Sequence, residues 1–183
     1  AYLGGQSVSP AIVDVLTGKA NPCGKLAETY PICLKDTPTS FRYPDSKEDV
    51  QYRESIFIGY RYYDKTEKNV RFPFGFGLSY TSFEYSDIKL RKKNLTKGEG
   101  AKVTFTVKNT GDTAGAEIAQ VYVAKPASKI FRAPKELKGF AKVYLEPGES
   151  KKVTVELDDR AFMFWNTATN DWSVEIFLLS EAD

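Results

Sequence analysis

Histidine is absent from this chain of 183 residues, and cysteine occurs only twice, at Cys23 and Cys33. A chain without imidazole cannot form a histidine-ligated zinc site, a Ser-His-Asp triad or a Cys-His dyad, so those classes of enzyme are excluded. The two cysteines either form one disulfide across a short loop or remain free, partly buried thiols, and Pro31 between them and the lack of any sign of an oxidising compartment favour free thiols. We expect neither a metal site nor a cofactor.

Long apolar runs and a strong imbalance of charge are also missing. No run approaches the roughly 18 to 20 apolar residues that span a bilayer, and no signal-peptide pattern opens the chain. Lysine and arginine total 26 against 24 acidic residues, so the formal net charge is +2, and the basic residues are scattered. We expect a soluble protein with no nucleic-acid or membrane partner, while a cytoplasmic and a secreted location both stay open.

The first half of the chain has mixed helix, loop and strand signals. Ser9 suits a helix N-cap, Pro10 the first helical position and Gly18 the end of the helix, with apolar residues between them at helical spacing (Ile12, Val13, Val15 and Leu16). Residues 36–54 combine prolines with polar residues and predict a loop. The aromatic and β-branched residues between Ile56 and Tyr63 predict a strand.

From about Glu84 onward, apolar and polar residues alternate strictly. The sequence "AKVTFTVKN" places Val103, Phe105 and Val107 on one face, and "KKVTVELD" repeats the pattern. The stretch "EIAQVYVA" predicts another strand, although its alternation is less clean. Pro147 and Gly148 suit the two central positions of a type II turn. Short strands separated by turns predict an antiparallel β-sandwich, so the fold class is α+β, with a mixed segment before residue 84 and an all-β module after it.

Six ordered motifs cover nearly the whole chain. They are "NPCGKLAETYP" (21–31), "YRESIFIGYRYYD" (52–64), "FPFGFGLSYTSFEYS" (72–86), "VKNTGDTAGAEIAQVYV" (107–123), "PKELKGFAKVYLEPGE" (134–149) and "LDDRAFMFWN" with "DW" (157–172). Together they resemble the C-terminal part of glycoside hydrolase family 3, the family of β-glucosidases and β-xylosidases.

The resemblance implies an architecture. Residues 1–70 correspond to the C-terminal portion of the family's α/β sandwich domain, residues 71–86 to an aromatic interdomain segment, and residues 87–183 to a fibronectin type III-like (immunoglobulin-like) β-sandwich domain. The implied partners are the remaining barrel and α/β domain of the same enzyme and, through the whole enzyme, a β-linked glucoside or oligosaccharide.

The resemblance also implies where the chemistry lies. The family hydrolyses glycosides with retention, using an Asp nucleophile in the barrel and, in many members, a Glu acid/base in the earlier part of the α/β domain. Neither motif occurs in these 183 residues. We expect no catalytic residue here, so the isolated chain is expected to be inactive and to serve as scaffold.

Two positions and the C-terminal stretch depart from the family pattern. Cys23 stands where the family usually has serine, and Ser55 where it often has glycine. After Trp172 the family usually continues through a glycine-containing hairpin into a final strand, whereas this chain reads "WSVEIFLLSEAD". The last strand of the sandwich is therefore expected to be altered or missing.

Glu54, Arg61 and Asp64 are the candidate substrate-binding residues, because they combine opposite charges with neighbouring tyrosines. They either form structural ion pairs at the domain junction, the favoured interpretation, or contact a sugar.

The aromatic residues of the stretch 71–86 pose the same choice between a sugar platform and packing between domains. We favour packing for this stretch and for Trp165 and Trp172. The alternative function for the chain is a stand-alone, non-catalytic β-sandwich module that binds carbohydrate or a protein partner.

Overall fold

A computed structural model describes residues 2, 4–40, 49–91 and 98–175. In this part of the chain two α-helices, α1 (Val8–Leu16) and α2 (Tyr60–Thr66), accompany nine strands that pair only in antiparallel fashion. The fold class is α+β, as the sequence predicted. No helix within the described residues is long and apolar enough to cross a membrane.

The sandwich consists of two facing sheets. Strands β3 (Phe83–Arg91), β4 (Ala101–Asn109) and β7 (Ser150–Leu157) form one sheet in the order β3-β4-β7. Strands β5 (Gly115–Ala124) and β6 (Lys135–Leu145) form the other. The remaining strands form two small pairs: β1 (Tyr30–Pro31) with β2 (Val70–Phe72), and β8 (Met163–Asn166) with β9 (Asp171–Val174).

The core lies between the two larger sheets, where the alternating apolar residues of each strand face inward. It includes Phe105 and Val107 of β4, and Val153, Val155 and Leu157 of β7, all buried. The predicted alternation is therefore confirmed on both strands. Phe162, from a 3₁₀ turn after β7, closes the core and is only 2% exposed.

One polar side chain, Asn109 at the end of β4, is completely buried. Its Nδ2 donates to the carbonyl oxygens of Thr113 (2.9 Å) and Leu145 (3.1 Å). Its Oδ1 accepts from the Thr81 hydroxyl (2.5 Å) and the Gly111 amide (3.1 Å). Four bonds to three parts of the chain fix the end of β4 against β6, the following turn and the aromatic segment.

The turn between β6 and β7 has the predicted type II chemistry. Gly148 has a φ of +76°, and the Glu149 amide donates to the Glu146 carbonyl oxygen at 3.0 Å. A left-handed third residue is what this turn requires, and glycine adopts it without steric cost.

Helix α1 is confirmed, with a shifted start. It begins at Val8 with Ser7 as N-cap, so Ser9 and Pro10 lie in the first turn, where proline is tolerated. The helix ends before Gly18, whose φ is +75°. None of its residues is buried, and its apolar face is open to solvent, with exposed side chains at Ile12, Val13 and Leu16.

The strand predicted over Ile56–Tyr63 is wrong. The backbone turns at Gly59 (φ 55°, ψ −138°) and then forms α2 from Tyr60 to Thr66. The strand propensity of tyrosine is weak compared with tertiary contacts, and helical spacing brings Tyr60, Tyr63 and Asp64 to one side. All three of these side chains line the same cleft beside the sandwich.

Both cysteines are free, as the sequence favoured. Cys23 is half-buried as expected, whereas the expectation that Cys33 is partly buried is wrong, because Cys33 is exposed. Trp165 and Trp172 pair across the β8–β9 hairpin, with ring centroids 5.4 Å apart, and the Arg160 guanidinium lies 3.6 Å from the Trp172 centroid. The tryptophans therefore pack at the edge of the sandwich. The prediction about the final strand concerns the chain after Trp172, of which residues 176–183 lie outside the described residues, as do residues 41–48 of the predicted loop.

Candidate functional site

The candidate site is the junction where the segment before residue 81 meets the sandwich. Its first contact is made by Asn21, in the loop after α1. The Asn21 Nδ2 donates to the Ala114 carbonyl oxygen at 2.9 Å, and its Oδ1 accepts from the Ser79 hydroxyl (2.9 Å) and the Tyr80 amide (2.8 Å). The Tyr80 hydroxyl in turn donates to the Val15 carbonyl oxygen at 2.8 Å. One side chain thus joins the loop after α1 and the aromatic segment to the sandwich.

A second contact is a three-member polar chain with Glu117 of β5 at its centre. The Lys25 Nζ lies 3.1 Å from Glu117 Oε1, and the Tyr85 hydroxyl donates to the same oxygen at 2.9 Å. Burial, followed by the Glu117 charge, raises the pKa of the Tyr85 hydroxyl far above its usual value. The Tyr85 hydroxyl is therefore the donor in its contact with Glu117.

The third contact joins α2 to β6. The Leu137 amide donates to the Tyr60 hydroxyl oxygen at 2.8 Å. Arg61 pairs with Glu136 at 3.4 Å, and Asp64 pairs with Lys135 at 3.6 Å.

The predicted candidates Arg61 and Asp64 thus lie on one helix, and each forms an ion pair with a different residue of β6. The third candidate, Glu54, is half-buried in the chain before α2, and its carbonyl oxygen accepts from the Phe57 amide at 2.9 Å. These contacts favour structural ion pairing for Arg61 and Asp64. A sugar contact by any of the three stays a prediction.

A small cleft of about 90 Å³ lies beside these ion pairs. Its walls come from α2, the aromatic segment and the β5–β6 sheet: Thr29, Tyr60, Tyr63, Asp64, Lys68, Val70, Pro73, Phe74, Tyr122 and Lys135. Pockets for small molecules usually measure about 300 to 1,000 Å³, so this space suits a few water molecules better than a sugar ring. Among the described residues no group of His, Cys, Asp and Glu side chains is placed to hold a metal ion.

The rings of the aromatic segment 71–86 do not share one environment. Phe74 is half-buried and stacks on Tyr60 with centroids 4.6 Å apart, so it packs between α2 and the sandwich. Gly75 and Gly77 permit close approach: a Cβ at Gly75 would lie 2.3 Å from the Gln120 Oε1, and one at Gly77 would lie 2.4 Å from the Gly24 carbonyl oxygen.

Other residues of this segment line an open apolar groove of about 420 Å³, together with Tyr2, Pro22 and Leu26. Phe72 and Leu78 in this groove are 40% and 71% exposed. The segment therefore has one side packed at the junction and one side that nothing in the described chain covers.

Sequence reasoning missed the residues that hold the junction together, namely Asn21, Lys25, Glu117, Lys135 and Glu136. Asn21 and Ala114 are 93 residues apart, and Tyr60 and Leu137 are 77 apart. A contact over such a separation leaves no local periodicity or spacing. The only signal was the presence of these residues inside the ordered motifs.

Known proteins share both halves of this arrangement. A family model of the glycosyl hydrolase family 3 C-terminal domain matches residues 1–80, and a model of the fibronectin type III-like domain matches residues 117–176. Thermostable beta-glucosidase B of Acetivibrio thermocellus is 51% identical over 96% of this chain. The chain belongs to glycoside hydrolase family 3. The domain limits at residues 70 and 87 stay a prediction.

Other family 3 proteins show the same similarity. The exo-alpha-(1->6)-L-arabinopyranosidase of Bifidobacterium longum is 45% identical over 96% of this chain. The crystal structure of the Bifidobacterium adolescentis GH3 beta-glucosidase superposes with a TM-score of 0.86 at 47% identity, covering 93% of this chain and 25% of that one. Beta-glucosidase of Kluyveromyces marxianus superposes with a TM-score of 0.81 at 46% identity, covering 90% and 20%.

This family 3 chain spans 23% of the length of the thermostable beta-glucosidase B and of the arabinopyranosidases that it matches. It corresponds to the C-terminal domains of larger single-chain enzymes.

Proposed function

We propose that this chain is the C-terminal scaffold of a family 3 β-glycosidase whose catalytic carboxylates lie outside these 183 residues. The observation that carries the proposal is the junction: the segment before residue 81 is anchored to the sandwich by Asn21, Lys25 and α2, yet it leaves large apolar surfaces uncovered. Leu16 of α1 is 76% exposed and Leu78 of the groove 71%.

Such surfaces suit a domain whose other half is supplied by the same polypeptide, because contiguous exposed apolar patches mark interaction sites. Retaining hydrolysis needs a nucleophile and an acid/base about 5 to 5.5 Å apart across the glycosidic bond, held in place by the domains around them. The role proposed for this chain is to hold the domain that bears the acid/base.

The proposed substrate of the complete protein is a β-linked glucoside or oligosaccharide. Similar proteins carry the names beta-glucosidase and exo-alpha-(1->6)-L-arabinopyranosidase, so the sugar and linkage depend on residues outside this chain. The alternative of a stand-alone binding module loses support because residues 1–80 match the C-terminal domain of the hydrolase family.

Release of nitrophenol from an aryl β-glucoside tests the proposal. We expect no turnover by the purified 183-residue chain, and we expect activity once it is mixed with a separately produced barrel and the missing part of the α/β domain. Glu54→Gln should leave that restored activity intact. Turnover by the chain alone that disappears in Glu54→Gln would place the chemistry here and overturn the proposal.

A pair of substitutions tests whether the exposed face of α1 takes part in completing the domain. Leu16→Asp should leave the fold of the chain unchanged, since this side chain is 76% exposed, but it should reduce the restored activity. Lys152→Asp, on the exposed side of β7, is the control and should restore activity like the parent. Equal restoration by the two variants would contradict a role for α1 in completing the domain.

A further inference from the structure

A pair of aromatic rings, one exposed and one half-buried, bridges the two parts of the chain at a second place, and neither ring lines the cleft or the apolar groove. Phe131 lies between β5 and β6 and is 70% exposed. Its ring meets Phe57, just before α2, edge to face with centroids 4.9 Å apart. On either side of Phe57 in the sequence, Ile56 and Ile58 are 40% and 56% exposed. We call these four residues the aromatic ridge.

The segment that carries Phe131 is held by half-buried ionic contacts. The Arg132 side chain is only 9% exposed and lies 3.9 Å from Glu136 and 3.7 Å from Glu175. Glu175 also accepts from the Ser128 hydroxyl (2.7 Å) and the Lys129 amide (2.9 Å). Hydrogen bonds and ion pairs on both sides of Phe131 therefore fix its backbone while its ring stays in solvent.

The same ionic network fixes the other half of the ridge. Glu136 pairs with Arg132 on the sandwich side and with Arg61 of α2 at 3.4 Å. Because α2 begins three residues after Phe57, the Glu136 carboxylate links the helix next to Phe57 with the segment that carries Phe131. A preorganised apolar surface of this kind loses little conformational entropy when it is covered.

The composition of the ridge distinguishes between possible occupants. Sugar platforms combine aromatic rings with polar groups that bind hydroxyls, whereas the ridge combines two phenylalanines with two isoleucines. Clusters of aromatic and aliphatic side chains with few charges are typical of the buried centre of a protein interface. The chain spans 23% of the length of thermostable beta-glucosidase B, so most of a relative's polypeptide is available to cover the ridge.

From this geometry we propose that the aromatic ridge is a docking surface for the remaining part of the same polypeptide. It would fix the position of the sandwich in the complete enzyme. This inference rests on the proposed function, but it concerns the burial of the aromatic ridge and not the hydrolysis of a glycoside.

Thiol labelling tests the inference without an activity assay. Phe131→Cys is made with Cys23 and Cys33 replaced by serine, both in the 183-residue chain and in the protein extended by its adjoining coding sequence. A maleimide should label residue 131 rapidly in the short chain. In the extended protein we expect labelling about tenfold slower or more, since a covered thiol reacts only through local opening.

Lys152→Cys in the same background is the control and should react equally in both proteins, because it lies on the exposed side of β7. Hydrogen exchange of the unsubstituted proteins gives a second readout: residues 125–134 should gain protection in the extended protein. Equal labelling of residue 131 in both proteins would refute the docking surface. Labelling slowed only by added oligosaccharide, or only at high concentration of the short chain, would refute it in favour of a sugar or a second copy.

Discussion

We expect replacement of the Asn109 side chain to destabilise the sandwich strongly. It is fully buried, and its side chain makes four hydrogen bonds, to Thr81, Gly111, Thr113 and Leu145. Replacement by alanine removes all four and leaves the Leu145 carbonyl, whose residue is also fully buried, without this donor. An unsatisfied buried group costs about 1 to 3 kcal/mol and each ordinary hydrogen bond about 1 kcal/mol net.

Four lost bonds at about 1 kcal/mol each predict that Asn109→Ala lowers the free energy of unfolding by about 4 kcal/mol, which corresponds to a fall in Tm of about 8 to 16 °C for a chain of this length. Thermal and chemical denaturation followed by circular dichroism measure the effect. Asn166→Ala is the matched control, because Asn166 is half-buried and accepts from the Ala168 amide two residues away. An equal loss of free energy of unfolding in the two variants would refute the stabilising role of the four Asn109 hydrogen bonds.

Three further predictions follow from the backbone and the ionic contacts. Ser55 has a φ of +53°, so Ser55→Gly should raise the free energy of unfolding by about 1 kcal/mol. Helix α1, which buries none of its residues, should show hydrogen-exchange protection about 100-fold lower than β4. The Glu175 pKa is lowered by the Ser128 and Lys129 hydrogen bonds, so acidification should reduce protection around Ser128, and Glu175→Gln should remove that pH dependence.

The sign of the Glu175 effect follows from the lowered pKa. A carboxylate with a depressed folded pKa contributes stability above its unfolded pKa, near 4.3, and loses it as the pH falls through the folded value. Protection that rises on acidification would contradict this assignment. A stability loss in Ser55→Gly, or equal exchange from α1 and β4, would contradict the other two predictions.

The alternation of apolar residues was enough to find the central strands. In β4 and β7 every second side chain faces the core, and this period of two is a local property of the chain. The Pro147–Gly148 turn was equally local, because proline restricts its own φ and glycine tolerates the positive φ that the next position requires. The six ordered motifs indicated the family, since they span nearly the whole chain.

The strand predicted for Ile56–Tyr63 is wrong because strand propensity there competes with contacts that only the folded chain makes. Tyr60, Arg61 and Asp64 each contact residues of β6 through one helical turn, which an extended backbone would not allow. Strand β6 itself was missed, since its exposed Phe140 and Tyr144 hide the alternation.

What the sequence determined by itself is therefore the antiparallel sandwich, its turns and the membership of the family, because each depends on local spacing or on residues in order along the chain. Tertiary structure alone decided which charges meet at the junction. Lys25 meets Glu117 and Arg61 meets Glu136 across long stretches of chain. It also decided which apolar side chains stay uncovered, because burial depends on what folds against a residue as well as on what that residue is.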